Sequence, residues 1–94
     1  KNWKNWLRMI VSFHKKGWEH FQYWLQTDKR MVRKILQLIS DVQRHPYEGL
    51  GKPEPLRHDY AGFWSRRIDE EHRLVYEVKQ NEIIIAQCRF HYKD

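Results

Sequence analysis

The sequence predicts an α+β domain: a small antiparallel sheet with two N-terminal helices packed on one face. Three observations carry this. A short β-rich opening precedes two segments whose apolar residues recur at helical spacing. Pro46 closes the second segment, because proline disfavours helix at the residue before it. Three runs rich in β-formers then follow, parted by short polar turns, which is the pattern of antiparallel hairpins.

In chain order, residues 9–13 (Met-Ile-Val-Ser-Phe) predict the opening strand. The first helix follows, with Trp18, Phe21, Trp24 and Leu25 on one side. Thr27 is expected to cap the second helix, with Asp28 favourable in its first turn. That helix presents Met31, Val32, Ile35, Leu36, Ile39 and Val42 on a broad apolar face. Lys29, Arg30, Arg33, Lys34 and Gln37 fill much of the other side. Residues 45–63 hold all three prolines and three of the four glycines. A connection of that length is often functional. Strands are expected over 64–68, 73–78 and 83–92, joined by Asp69-Glu70-Glu71-His72 and Lys79-Gln80-Asn81-Glu82.

Ninety-four residues support one domain, and 40% hydrophobic with 15% aromatic residues supply one core. The net charge of +6 favours a polyanionic partner, of which nucleic acid is the usual one. Cys88 stands alone, so no intramolecular disulfide can form, and a reducing cytoplasm is the expected compartment. No apolar run approaches the ~20 residues a bilayer span needs, and the start is too interrupted for a secretion signal. No membrane partner is expected.

Side chains alternate along strands. Ile84, Ala86, Cys88 and Phe90 form one set on the last strand, and Ile83, Ile85, Gln87, Arg89 and His91 the other. If the first set is buried with Leu74, Tyr76 and Val78, then Val78 faces Ile84, Leu74 faces Cys88 and Arg73 faces Arg89. Pairing Ile68 with Leu74 turns Arg67 to the same open face. Arg67, Arg73, Arg89 and His91 then gather there, which suits a scissile phosphate.

Cleavage of RNA without a metal needs a base for the 2′-hydroxyl, a cation for the phosphate and an acid for the leaving 5′-oxygen. His91 can be acid or base, since its reference pKa of about 6.5 lies near working pH. Arg73 or Arg67 can grip the phosphate through a planar fork. The long loop offers Glu48 and Glu54 as carboxylate bases. The arginines could instead pair with Glu70 and Glu71. No Cys-x-x-Cys or His-x-x-x-His spacing suggests zinc. Gly49-Leu50-Gly51-Lys52 lacks the spacing of a phosphate loop. Neither metal nor cofactor is expected.

Several blocks in order resemble the YoeB/Txe family of bacterial toxins. They are Tyr23-Trp24, Thr27-Asp28-Lys29-Arg30, Pro46-Tyr47-Glu48-Gly49, Gly51-Lys52-Pro53-Glu54-Pro55-Leu56, Gly62-Phe63-Trp64-Ser65-Arg66-Arg67-Ile68, Glu70-Glu71-His72-Arg73-Leu74-Val75-Tyr76 and Cys88-Arg89-Phe90-His91-Tyr92. The resemblance implies a RelE-superfamily toxin with a microbial-ribonuclease-like fold, which inhibits translation by cutting mRNA at the ribosomal A site. By the same resemblance Glu54 is the general base, Arg73 stabilises the phosphate, His91 is the general acid and Tyr92 shapes the site. Arg57, His58 and Arg67 match positions near the RNA; Arg57 stands where a lysine is common. Arg89 is grouped with these RNA contacts through its expected strand position.

The resemblance also implies a YefM-like antitoxin whose C-terminal segment disables the site, and a toxin homodimer. It implies contact with DNA only through the antitoxin. Residues 1–8 fall outside the family pattern, leaving 9–94 as the toxin domain, and Lys93-Asp94 extend past the usual His-Tyr ending. Rival readings are a gyrase-poisoning toxin of ParE type, a non-catalytic RNA- or ribosome-binding protein, and a DNA-binding regulator. The last lacks a convincing helix-turn-helix.

Overall fold

A computed structural model describes residues 9–92; the expected extension over 1–8 lies outside the described residues. The chain runs β1 (Ile10–Phe13), α1 (Lys15–Thr27), α2 (Lys29–Arg44), β2 (Glu54–Pro55), a single 3-10 turn (His58–Tyr60), β3 (Trp64–Arg67), β4 (Arg73–Lys79) and β5 (Glu82–Gln87). The strands form one sheet in the order β1-β5-β4-β3-β2. Three of its pairs are antiparallel, as expected, but β1 runs parallel to β5, so the sheet is mixed. The chain between β1 and β5, which includes both helices and the three other strands, supplies the crossover that such a parallel pair requires.

The helices divide at Asp28, not Thr27. Thr27 ends α1 and its hydroxyl donates to the Tyr23 carbonyl (2.7 Å), the turn-back bond threonine commonly makes in helices. Asp28 is extended (φ −157°) and accepts the Arg30 N–H at 3.0 Å, capping α2. Phe21 and Trp24 of α1 and Met31, Ile35, Leu38, Ile39 and Val42 of α2 pack on Leu74, Tyr76, Ile83, Ile85 and Cys88 of the sheet side. The apolar stripe is narrower than its spacing suggests: Trp18, Leu25 and Leu36 stay exposed. Gly17 lets α1 approach β5 closely, because a Cβ there would strike the Ile85 carbonyl.

The expected register of the last hairpin is corrected by one bulge. Val78 faces Ile83 and Tyr76 faces Ile85, but Val75 faces Gln87, leaving Ala86 unpaired. The extra residue reverses the alternation. Ile83 and Ile85 are therefore buried ahead of the bulge and Cys88 beyond it, while Ile84 turns to the opposite face from them. The ladder ends at Gln87, so the expected strand pair of Arg73 with Arg89 does not form. Arg66, not Ile68, faces Leu74.

Arg66 anchors the long loop from inside. Fully buried, it donates through Nη1 to Asp41 (2.6 Å) and the Leu50 carbonyl (3.0 Å). Nη2 donates to the His45 and Glu48 carbonyls, and Nε to the Tyr76 hydroxyl (3.1 Å). Tyr76 in turn donates to the Pro46 carbonyl at 2.8 Å. Burial alone would raise the Asp41 carboxyl. The Leu50 N–H and the Arg66 guanidinium outweigh it and hold that carboxyl below the ordinary range.

Candidate active site

Residues 54–55, inside the long loop, add β2 to the edge of the sheet, with Glu54 opposite Ser65 on β3. Alternation then aligns Ser65 and Arg67 on β3 with Val75 and Arg73 on β4, because Arg67 faces Arg73 and Ser65 faces Val75. The chain after β5 brings His91 and Tyr92 to the same place. Lys52, Glu54, Ser65, Arg67, Arg73, His91 and Tyr92 line one cavity of about 270 Å³. Five of the expected site residues thus meet there. Lys52 and Ser65 were not anticipated; for Ser65, the signal was its shared parity with Arg67. Glu48, the alternative carboxylate, lies elsewhere and faces His45 at 3.9 Å.

Arg73 is buried to 8% exposure, yet it has no carboxylate partner among the described residues. Its Nη1 donates to the carbonyls of Asp69 (2.9 Å), His72 (3.1 Å) and, longer, Glu70 (3.4 Å). Neither the Glu70 nor the Glu71 carboxylate pairs with it; the turn's backbone carbonyls hold the guanidinium instead. Asp69 fixes that turn by accepting the N–H groups of Glu71 (2.9 Å) and His72 (2.7 Å). Burial opposes ionisation of Asp69, but these two N–H groups prevail and keep its carboxyl below the usual range.

The segment carrying His91 is held mostly by side chains. The Cys88 N–H donates to Nδ1 of His20 (3.1 Å), and the Phe90 N–H to Nδ1 of His72 (2.8 Å). Trp24 Nε1 donates to the Cys88 carbonyl (2.9 Å) and Gln87 Nε2 to the Arg89 carbonyl (3.1 Å). The Arg73 N–H donates to the Phe90 carbonyl at 3.1 Å. An imidazole nitrogen accepts only when unprotonated, so both histidines carry any neutral-form proton on Nε2. Burial, then the charges of Lys16 and Arg89, keep His20 below the ordinary histidine value.

Arg57 and His58 line a neighbouring groove of about 500 Å³ together with Glu54, Pro55, Leu56 and Tyr92. Arg89 belongs to neither cavity. Its guanidinium carbon sits 3.5 Å from the Tyr23 ring centre and 4.4 Å from that of Phe90. Its expected place beside Arg73 is corrected accordingly: the strand ends two residues too early to put it there. Among the described residues, no three His, Cys, Asp or Glu side chains are grouped to hold a metal ion. No helix among them is long and apolar enough to cross a membrane.

A sheet covered by two helices in this way has relatives. The family model described as the YoeB-like toxin of bacterial type II toxin–antitoxin systems matches residues 13–92. The chain belongs to this family. Toxin YoeB of Escherichia coli strain K12 is 55% identical over 84 residues, which are 89% of this chain and all of that one. Two solved Staphylococcus aureus structures, a YoeB dimer and a heterotetrameric YoeB–YefM toxin–antitoxin complex, are each 45% identical to it. Both comparisons cover 90% of this chain and 99% of theirs, with TM-scores of 0.85 and 0.84. The YoeB-like architecture is therefore shared across nearly the whole described chain.

Proposed function

We propose that this YoeB-like toxin is a metal-independent endoribonuclease that cuts mRNA at the ribosomal A site and so stops translation. The observation that carries the reading is the single cavity lined by Glu54, Arg73 and His91: a carboxylate, a guanidinium without an ion-pair partner among the described residues, and an imidazole around one space. In the proposed reaction Glu54 takes the 2′-hydroxyl proton, and the 2′-oxygen forms a bond to phosphorus. The bond from phosphorus to the 5′-oxygen breaks, and His91 gives that oxygen a proton. Arg73, with Arg67 at its side, stabilises the added negative charge in transition. The products are a 2′,3′-cyclic phosphate and a 5′-hydroxyl. Tyr92 closes one wall, and Arg57 and His58 extend the contact along the RNA.

The S. aureus complexes support a YefM-like antitoxin and a toxin homodimer as partners of this chain too. DNA would be reached only through the antitoxin, and the ribosome and its mRNA place the work in the cytoplasm. A purified translation system programmed with one defined mRNA tests the reading. Cleaved mRNA with new 5′-hydroxyl ends at the A-site codon is expected. Blocked translation with intact mRNA would leave a non-catalytic binder, and trapped gyrase–DNA complexes would indicate a ParE-type poison.

A further inference from the structure

Three grooves lie side by side and share walls. Glu54 and Tyr92 line both the groove of Arg57 and His58 and the central cavity. His91 lines both the central cavity and a third groove of about 410 Å³, walled by Lys16, His20, Tyr60, Arg89 and Phe90. The volume of that third groove falls in the range of small-ligand pockets, about 300–1,000 Å³. The proposed reaction uses the central cavity and leaves this groove without a task.

Its chemistry is that of a nucleotide site. Lys16 and Arg89 are its cations, and it is lined by no carboxylate. Burial, then their two charges, lowers the pKa of His20 in this groove, and Glu19 only partly opposes them. Arg89 is fixed over Tyr23 by its flat face, which leaves in-plane donors for a phosphate. Two aromatic rings complete the groove. Phe90 is 48% exposed and stands on a left-handed backbone (φ +68°), a conformation a bulky residue seldom adopts. An aromatic ring beside cations is the arrangement on which a nucleobase stacks. Tyr60 lies at the divide, its ring 6.0 Å from that of Tyr92.

The order of the grooves assigns a direction. The base acts on the 2′-hydroxyl of the nucleotide before the cut. The acid acts on the 5′-oxygen that departs with the nucleotide after it. We infer that the groove of Lys16, Tyr60, Arg89 and Phe90 binds the nucleotide 3′ of the scissile bond, so that RNA crosses the toxin with its 5′ side at Arg57 and His58. The inference rests on the nuclease reading, in which Glu54 is base and His91 acid.

The test uses whole toxin on programmed ribosomes. Cleavage of unmodified mRNA is mapped first; no cleavage there defeats the nuclease reading itself, before polarity is asked. The cut-site nucleotide is then 2′-O-methylated to block attack, and 5-iodouridine is placed on one side of it or the other. Irradiation should join the 3′ probe to Tyr60 or Phe90 and the 5′ probe to the segment around His58 and Tyr92. Exchange of the two patterns would reverse the polarity and overturn the inference, and so would a 3′ probe that labels only ribosome. Lys16→Gln should also weaken binding and lower its salt slope by about one. An unchanged slope together with weakened capture of the antitoxin would give the groove to the antitoxin instead.

Discussion

The amide of Phe90 donates to Nδ1 of His72 across 2.8 Å, so the residue before His91 hangs from an imidazole as well as from the Arg73 N–H that its carbonyl accepts on β4. Both partners sit at the site's edge: His72 precedes Arg73, and Phe90 precedes His91. Two hydrogen bonds, this one and the one from the Arg73 N–H to the Phe90 carbonyl, therefore tie the segment of Arg73, the proposed phosphate binder, to that of His91, the proposed proton donor.

His72→Asn keeps an acceptor for that amide, whereas His72→Leu leaves a partly buried N–H without it. The leucine variant should slow single-turnover cleavage roughly 10- to 100-fold, the scale of a misplaced catalytic group. The asparagine variant should stay much closer to the parent. Stability should fall by about 1–3 kcal/mol in the leucine variant. Equal cleavage by the two variants would remove His72 from the positioning of His91.

Arg66 should govern stability and leave the reacting groups untouched. Arg66→Ala strands Asp41 and four further acceptors, and should cost about 3–5 kcal/mol in urea unfolding. Asp41 carries the pH signature. Its carboxyl is depressed in the fold, so its stabilisation is complete above the unfolded value and is lost as pH falls through the folded one. Urea midpoints measured from neutral pH down to about 3 should therefore decline more steeply in the parent than in Asp41→Asn.

Cys88 should be inert in the native state. Burial pushes its thiol up to about 12, and its Sγ lies 3.7 Å from the Gly17 carbonyl. Alkylation at pH 8 should be slow until denaturant is added. Rapid native labelling would contradict the packing of α1 on the chain after β5.

The central cavity was largely legible because it rests on alternation. The parity that turns Arg67 and Arg73 outward needs only correct strand pairing near the Asp69–His72 turn. It also sends Arg66 inward, so two adjacent arginines have opposite fates. The loop offered Glu48 and Glu54 alike, and only the resemblance chose Glu54, since a two-residue strand between prolines has no period to detect. Arg89 was misplaced because β5 ends at Gln87, two residues short of it, and nothing in the side chains of Cys88-Arg89-Phe90 marks that end. The imidazole acceptors His20 and His72 were invisible for a similar reason: each depends on a backbone amide far away in sequence.

Binding to programmed ribosomes should weaken steeply with salt, as counterions are released from phosphates. Arg57→Gln should lower that slope by about one and affect binding more than the chemical step. An unchanged slope would separate the Arg57 groove from the RNA.

The division of proton work between His91 and Glu54 is the centre of the account. His91→Ala and Glu54→Ala should each slow cleavage by roughly 10²–10⁴-fold on saturated ribosomes. The decisive measurement repeats this with mRNA whose leaving 5′-oxygen is replaced by sulfur, a leaving group that needs little protonation. The sulfur substrate should restore cleavage by His91→Ala and leave Glu54→Ala slow; rescue of Glu54→Ala alone, or of neither variant, would contradict His91 as the acid.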